Sequence, residues 1–494
     1  MTEINSFWNP QRARLIIVSG LAAGLGLVLL AGMRNLEPQW LFCIALGFTV
    51  FWTAIMSRKF ERFMFLLLFL VIPVNIDIHF NIGPSLDALQ LPIGTPRFGI
   101  SIMDIILLIL YPIWISRLMV NPGERKILWP AGAGFFWCFM GCGALTLLKA
   151  PSVEIGVALW ISFFRAFLLF FYTANHIKNR EDLWLAAWCV AVGMAFEGLI
   201  CLAQKTAGGN LGLAFMGEHS QEKEMAMAGS TVFRVGGTQG HPNALGGYFT
   251  STLPVALALC LAPVSKFKRV IMAGCFGLGL LGTFLSFSRS AWYMAFAACA
   301  VLAGVVFFSQ RKRFGQLMPA LILGTFLLTV TGVALGPLIK ARLEEDDKGS
   351  TMSRIPQWQM ALSMIKSNPI FGVGMNNYNK VTHLYETYVV NTDGYGRVFL
   401  YQGRPHNVFI GIAAEMGIPG LLWLVGYGIV VSKEGIRQIR VTKDELIRLI
   451  LTGMLLGFLG RIPHDAFHTG NLASHIFFWL YPACLVSRKE EKSQ

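Results

Sequence analysis

Charged residues are scarce in this chain. Asp, Glu, Lys and Arg make up 14% of its 494 residues, about half of the roughly 25% typical of soluble domains. The hydrophobic share is 54%. Because charged side chains cover the surface of water-soluble folds, this scarcity disfavours a set of soluble domains, which the length alone would allow and which the long apolar runs exclude.

The sequence also lacks a cysteine pattern that would indicate disulfides or a metal site. Spacings of the kind seen in disulfide frameworks or zinc sites are missing. The nine cysteines all fall in apolar segments, at Cys43, Cys138, Cys142, Cys189, Cys201, Cys260, Cys275, Cys299 and Cys484.

The first apolar run, from about Leu15 to Ala31, is too long for a cleavable signal peptide and has no evident cleavage site.

What the chain has in abundance is long apolar runs. Each is about 17–22 residues, which as a helix crosses a hydrocarbon core of about 30 Å. The runs are continuous rather than alternating, which indicates helices and not barrel strands. The sequence therefore predicts an all-α, polytopic transmembrane helical bundle of 12–14 spans, near residues 14–32, 39–56, 62–75, 99–117, 128–148, 155–175, 183–203, 243–262, 269–287, 290–309, 315–336, 406–431, 446–460 and 471–487.

The net charge of +14 sets the expected orientation. The basic residues stand between apolar segments and form no stripe, so no nucleic-acid partner is expected. Clusters such as Arg58/Lys59/Arg62 and Arg311/Lys312/Arg313 recur at alternate span ends, whereas the short opposite loops carry one basic residue each. By the positive-inside rule, the clusters and both termini are predicted to be cytoplasmic.

Three longer segments, near 76–98, 204–242 and 337–405, then lie on the outer side. The last contains a helical pattern from Pro356 to Ile365 and aromatic residues, so we expect an ordered cap between late spans. The predicted division is an N-terminal transmembrane region (1–203), an outer loop (204–242), a domain over 243–431 that includes the 337–405 loop, and a C-terminal transmembrane region (432–494).

Four stretches on the predicted outer side combine Arg or His with small polar residues. An arginine at the membrane boundary usually has a partner, guanidinium groups suit phosphate oxygens, and a histidine can transfer protons. Each residue also has a plainer interpretation, such as a topology anchor, a solvated loop residue or a helix cap. The stretches are Phe233 to Asn243, with Arg234 and His241; Ser286 to Trp292, with Ser288 and Arg289; Ser353 to Trp358, with Arg354, followed by Asn368 to Gly374; and Gly403 to Asn407, with Arg404 and His406, followed by Gly417 to Gly420.

Other polar residues carry weaker hypotheses. Arg461, His464, Asp465 and His468 lie in the last outer loop, where acceptor contact or loop ordering is favoured over zinc, since no third ligand is evident. Asp104, Arg165 and Glu197 lie within or near spans, where interhelical pairing and an ion path are both open. The acidic run 344–347 is interpreted as solvated rather than metal-binding.

The fourth stretch resembles the signature of the O-antigen ligase and O-antigen or exopolysaccharide polymerase superfamily. The signature is met by His406 and Asn407, nine residues, Gly417, two residues and Gly420. The Ser288–Arg289 turn, the Ser353–Arg354 segment and the Gly240-His241-Pro242-Asn243 stretch are also similar to segments of such proteins. The domain-level resemblance covers about 240–430; the departure is the count of up to fourteen spans, where the family often has about twelve.

The resemblance implies an enzyme that transfers glycans at the periplasmic face of the bacterial inner membrane. The donor would be an undecaprenyl-diphosphate-linked glycan, and the acceptor a lipid-linked repeat unit or lipid A–core, with no cofactor and no metal. Arg289 and Arg354 would bind the diphosphate, and His406 would deprotonate the acceptor or hold the phosphate. Supporting substrate contacts would come from Arg404, Asn407, Arg234, His241 and Ser288.

Several functional alternatives stay open at this point. A polymerase is narrowly favoured over a ligase, because the extended 76–98 segment and the extra spans resemble polymerase-type members. A transporter is the main rival of another class. It is disfavoured because the unusual residues gather at the outer boundary and not in broken helices at the midplane. A structural assembly partner is a further alternative.

Overall fold

A computed structural model describes residues 60–74, 77–81, 97–120, 127–218, 224–227, 230–309, 336, 348–385, 388–390, 397–399, 405–467 and 472–487. The chain divides into two compact units. The first comprises Met1–Leu68 and Met103–Leu128, and the second comprises Phe69–Ile102 and Trp129–Gln494. The predicted spans at 14–32, 39–56 and 315–336 lie outside the described residues.

Helices dominate the described part of the chain, which confirms the predicted all-α, polytopic class. Eight of these helices are long and apolar enough to cross a membrane: α2, α4, α5, α6, α7, α8, α11 and α12. The helices are α1 Phe60–Leu70, α2 Ile102–Val120, α3 Ala133–Thr146, α4 Val153–His176, α5 Arg180–Ala207, α6 Pro242–Leu261, α7 Lys266–Leu285, α8 Arg289–Ser309, α9 Lys348–Ser367, α10 Tyr378–Val381, α11 Val408–Val441, α12 Glu445–Asp465 and α13 Ile476–Val486.

Three of the predicted spans correspond to shorter helices. The 62–75 and 471–487 runs fold as α1 and α13, each of 11 residues, and the 128–148 run folds as α3, of 14 residues, followed by a 3-10 turn. At 1.5 Å per residue, an 11-residue helix covers about 16 Å, roughly half of a hydrocarbon core. Apolar composition alone therefore overstated the helical length of these three segments.

Each of the three longer segments predicted to lie on the outer side contributes strands to an antiparallel hairpin. β1 (Asp77–Asn81) pairs with β2 (Arg97–Ser101), β3 (Glu224–Met227) with β4 (Ser230–Phe233), and β5 (Tyr388–Val390) with β6 (Arg397–Phe399). The strands are 3–5 residues long. They are local features of the connections and leave the helical class unchanged.

In the first unit, the described helical segments are linked by a buried acid. Arg117, in the last turn of α2, forms a salt bridge with Glu61, in the first turn of α1. The Glu61 side chain is 9% exposed, so a partner for its charge is expected at this position.

The second unit is organised around α6. This helix packs against α5, α7, α8 and α12, and 83% of its apolar membrane-spanning stretch is buried inside the protein. A second group of helices, α3, α4, α11 and α13, packs around aromatic side chains. The Phe136 ring stacks on Trp479 at 4.5 Å between centroids and meets Tyr427 edge-on at 5.6 Å. These contacts fix the helices that carry the polar segments.

Connectivity brings the polar segments to one end of the second unit. α7 ends and α8 begins beside the start of α6, since a Cβ on Gly246 would lie 3.0 Å from the Ser288 Cβ. α12 ends at the same place, because Arg461 lies against Gly247. α11 leads through a short turn into the start of α12, so its own start faces this same end.

Candidate functional site

The turn between α7 and α8 is held by an arginine from the segment that precedes α6. The Arg234 guanidinium donates to the Ser286 carbonyl from Nε at 3.1 Å and from Nη2 at 3.0 Å, and to Asn243 Oδ1 at 3.1 Å. Phe287, in this turn, has a φ of 50°, a conformation that L residues rarely adopt. Arg234 thus ties the turn to the start of α6 and fixes where Arg289 begins α8.

The other predicted residues of these two stretches have local roles as well. Ser288 is buried, and its N–H donates to Ser286 Oγ at 3.3 Å. Arg289 is half-buried at the first position of α8. His241 is exposed and caps α6, its Nδ1 accepting from the Asn243 N–H at 3.1 Å. Of these groups, Arg289 and His241 are the ones that a ligand could reach.

A charged network lies buried beneath the first turn of α6. Arg461 Nε donates to Asp465 Oδ1 at 2.8 Å, and His475 Nδ1 donates to Asp465 Oδ2 at 2.9 Å. The exposed fractions are 6% for Arg461, 0% for Asp465 and 9% for His475. His464 lies against the same carboxylate and against the backbone of Asn243. The network therefore supports the end of the bundle at which α6, α8 and α12 meet.

The cap helix α9 carries Arg354 to the start of α11. The backbone N–H of His406 donates to Gln357 Oε1 at 3.3 Å, and the Tyr378 hydroxyl donates to the backbone carbonyl of Gln357 at 3.2 Å. Burial and the positive charge of Arg354 lower the pKa of His406 below 6.5. The buried Nδ1 of His406 has no hydrogen-bond partner. At neutral pH the ring is therefore uncharged, with one nitrogen left to exchange a proton.

The glycine motif after His406 has a specific structural role. Asn407 caps α11, its Oδ1 accepting from the N–H groups of Phe409 and Ile410 at 3.0 Å. Ten residues on, Gly417 breaks the helix with a φ of 73° and a ψ of 176°. The break lets the 369–374 segment pair with α11: the Val373 N–H donates to the Ala414 carbonyl at 2.9 Å, and the Ile418 N–H donates to the Pro369 carbonyl at 2.8 Å. The motif thus joins the cap to the helix that carries His406.

The cap is also anchored to the connection between α3 and α4. The Ser152 N–H donates to Asn377 Oδ1 at 2.9 Å, and Asn377 Nδ2 donates back to the Ser152 carbonyl at 3.0 Å. A second contact joins the cap to α11: the Glu415 carboxylate accepts a hydrogen bond from the backbone N–H of Asn376 at 3.1 Å. Two separate attachments therefore hold α9 and α10 in place.

Replacing Gly417 with alanine should destabilise the protein by about 2–4 kcal/mol. The backbone conformation is one that essentially only glycine adopts, and a Cβ would lie 2.2 Å from the Ile370 carbonyl oxygen, so steric overlap adds to the strain. Gly428 is the matched control, since it lies on the same helix with nothing within 4 Å of a Cβ. Thermal unfolding in detergent should rank Gly417→Ala well below Gly428→Ala; equal stabilities would contradict the assigned role.

The polar residues within the spans serve packing. Glu197, fully buried in α5, accepts from the Thr238 N–H at 3.2 Å, from the Thr238 hydroxyl, and from Gln239 Nε2 at 3.3 Å. Arg165 donates to the Gly99 carbonyl and to Ser162. These contacts favour structural pairing over an ion path for Glu197 and Arg165. Asp104 lies in the first turn of α2.

The described residues thus place the candidate side chains in two groups at one end of the second unit. One group surrounds the turn between α7 and α8, with Arg234, His241, Ser288 and Arg289; the other joins the cap to α11, with Arg354, His406 and Asn407. Arg404, His468 and the 344–347 run lie outside the described residues. Within the described part, no group of three His, Cys, Asp or Glu side chains could hold a metal ion.

Two residues that contribute to this end of the bundle, His475 and Gln357, were not predicted from the sequence. His475 belongs to the Asp465 network but looked like an ordinary residue at the start of the last span. Gln357 links α9, α10 and His406. Its position beside Trp358 and three residues after Arg354 was the available signal, because residues three apart lie on neighbouring faces of a helix.

The fold and this end of the bundle define a class: a multi-pass helical membrane protein in which a folded segment, described over 348–385, packs on the late spanning helix α11. Residues 274–425 match the family described as O-Antigen ligase. The match includes Arg289, Arg354, His406 and the Gly417 break. This match supports the O-antigen ligase-related superfamily predicted from the sequence, whose members are glycan-processing enzymes.

The other comparisons add little. A search of curated proteins finds no match. A solved structure titled "Structural coordination of polymerization and crosslinking by a peptidoglycan synthase complex" is similar, with 16% sequence identity and a TM-score of 0.37, over 73% of this chain and 98% of the other. A similarity of that extent carries no functional argument.

Proposed function

We propose that the protein is an inner-membrane glycosyltransferase that transfers or polymerises undecaprenyl-diphosphate-linked glycans at the periplasmic face, with both termini in the cytoplasm. Polymerisation of an exopolysaccharide or O-antigen is favoured, and ligation to lipid A–core is the alternative. The observation that carries the proposal is that the positive charge of Arg354 acts on the half-buried His406 within the segment that matches the O-antigen ligase family.

The reaction would be a direct displacement at the anomeric carbon. The acceptor hydroxyl oxygen forms a bond to that carbon while the bond to the diphosphate oxygen breaks, and the bonding electrons leave with the diphosphate. His406 accepts the hydroxyl proton at its free ring nitrogen. Arg289 and Arg354 bind the diphosphate and stabilise the negative charge that develops on it. Neither a nucleotide sugar nor a metal is required, and the anomeric configuration is inverted.

The surrounding residues have supporting roles in this proposal. Arg234 and Ser288 position the turn that carries Arg289, and Asn407 orients the start of α11 beneath His406. His241, exposed at the start of α6, and Arg404, two residues before His406 in the sequence, would add substrate contacts. The membrane supplies the lipid chains of both substrates.

Glycan profiling of a deletion strain tests the function and separates the two reactions. Loss of long chains with a single repeat unit still attached to lipid A–core would support a polymerase. Accumulation of lipid-linked polymer together with bare core would support a ligase. Glycans identical to those of the parent strain would contradict both.

The pH dependence of transfer should reveal the influence of Arg354 on His406. A base must be neutral to act, and the pKa of His406 lies below 6.5 because of burial and the Arg354 charge. The rate should therefore hold from pH 8 to below about pH 6.5 and fall only as the pH drops through the lowered pKa.

Arg354→Gln removes the positive charge, so the pKa of His406 should rise and the acid limb of its residual activity should move to higher pH. Arg354→Lys keeps the charge and serves as the control. The measurement is kcat against pH for the three proteins. An acid limb at the same pH in Arg354→Gln as in the wild type would rule out this coupling.

A further inference from the structure

Two buried side-chain nitrogens, one on the cap helix α9 and one just before α11, have no hydrogen-bond partner. One is Nδ1 of His406 and the other is Nε1 of Trp358. Trp358 follows Gln357, whose side-chain oxygen accepts a hydrogen bond from the backbone N–H of His406. It also lies one helical turn after Arg354, whose charge acts on His406. Trp358 is therefore linked to His406 through two residues of its own helix, Gln357 and Arg354.

The position of Trp358 on α9 separates it from the core. Among the described side chains of α9, the buried ones are Pro356, Gln357, Met360, Ala361 and Met364, and the last three pack with Val373, Tyr378, Val381 and Ala414. Arg354 and Trp358, four residues apart, form a half-exposed row beside these buried side chains. The buried Trp292, by contrast, donates its N–H to the Thr283 carbonyl at 2.8 Å.

The chemistry of this pair indicates what would bind. An indole N–H only donates, whereas a neutral imidazole nitrogen can accept. A hydroxyl group can satisfy both, since it accepts one hydrogen bond and donates another. A phosphate group offers acceptors alone and is suited to arginine. An indole also presents an apolar ring beside its polar N–H, and a sugar ring presents apolar C–H groups beside its hydroxyls.

We propose that Trp358 binds the sugar next to the diphosphate of the lipid-linked glycan, its N–H donating to a sugar hydroxyl and its ring packing against the sugar face. Arg354 and Trp358 then bind adjacent parts of one substrate, the diphosphate and the first sugar. This inference rests on the proposed function, because it deepens the account of the same site. Trp358 is a binding residue and takes no part in proton transfer.

The test uses three purified full-length proteins: wild type, Trp358→Phe and Trp188→Phe. Trp188, in α5, also has a buried Nε1 without a partner, so its replacement removes the same group far along the chain from the cap. The substrate is the lipid-linked glycan extracted from the deletion strain, and the competitor is undecaprenyl diphosphate without sugar. KM for the glycan and the inhibition constant of the competitor are measured for each protein.

Trp358→Phe keeps an aromatic ring and loses the N–H, so KM should rise about 3- to 10-fold, the effect of one hydrogen bond. The inhibition constant of undecaprenyl diphosphate should stay within 2-fold, about the precision of such a measurement, which also shows that the variant is folded. Trp188→Phe should match the wild type in both values.

Three results would overturn the assignment. An unchanged KM in Trp358→Phe would mean that the Trp358 N–H donates to a water or to nothing, and not to a sugar hydroxyl. A KM and an inhibition constant raised equally would mean that Trp358 only supports Arg354. Equal effects of the two Trp variants would indicate a general packing defect. Failure of the proposed function itself is distinct, because the wild type would then transfer no glycan at all.

Discussion

Replacing Arg354 or Arg289 with alanine should reduce glycan transfer by about 10²–10³-fold, the usual cost of removing one group that stabilises developing negative charge. Arg354 lies close enough to His406 to lower its pKa, so both groups would act on the same substrate atoms. Arg289 begins α8 at a turn that Arg234 holds in place. In the proposed reaction, each guanidinium neutralises part of the diphosphate charge.

The measurement is complementation of the deletion strain, combined with the amount of each variant in the membrane. Lys366→Ala is the matched control: it removes one positive charge from α9 at an exposed position in the last turn and should complement fully. Arg354→Lys should recover only part of the activity, because an ammonium group cannot form the paired hydrogen bonds of a guanidinium. Normal complementation by both alanine variants, at normal membrane levels, would remove the two arginines from the mechanism.

Replacing Arg461 with alanine should lower the free energy of unfolding by about 3–5 kcal/mol, because it leaves the buried Asp465 carboxylate without its main counter-charge. Arg461 and Asp465 are four residues apart on α12, with side-chain exposed fractions of 8% and 0%. His475 and His464 would still contact the carboxylate. These remaining contacts should reduce the loss of stability without removing it.

Arg437 provides the comparison for this effect. It pairs with Glu434 on α11 at 2.6 Å, but its side chain is 44% exposed, and exposed pairs contribute about 0–1 kcal/mol. Thermal unfolding of Arg461→Ala and Arg437→Ala in the same detergent should show a large loss for the first and almost none for the second. Similar small losses would mean that the Asp465 network does not support this end of the bundle.

Much of the fold follows from local sequence features. Apolar length predicted the long helices, and the short break between two runs predicted the turn before Arg289, because both depend on a single continuous segment. The caps of α6 and α11 could also be anticipated from His241-Pro242 and from Asn407, since a cap is defined by its own next few residues. The three short helices were overestimated because apolar composition does not mark where a helix stops.

The candidate site was only partly accessible from the sequence, because its decisive contacts join distant segments. Arg234 meets Ser286 across 52 positions, and His406 meets Gln357 across 49. Nothing in the residues around His475 signalled that it would meet Asp465 across a loop. The Gly417 motif was noticed from its spacing, but its purpose, opening α11 to the 369–374 segment, requires the folded chain.

The central claim is that the protein itself transfers a glycan from a lipid diphosphate. The direct measurement is reconstitution of the purified full-length protein in lipid vesicles with the lipid-linked glycan extracted from the deletion strain, with and without lipid A–core. The wild-type protein should form longer glycans or glycosylated core, together with released undecaprenyl diphosphate, and Arg354→Ala should be slower by about 10²–10³-fold. Unchanged lipid-linked glycan under both conditions, from wild-type protein that is folded and inserted, would contradict it.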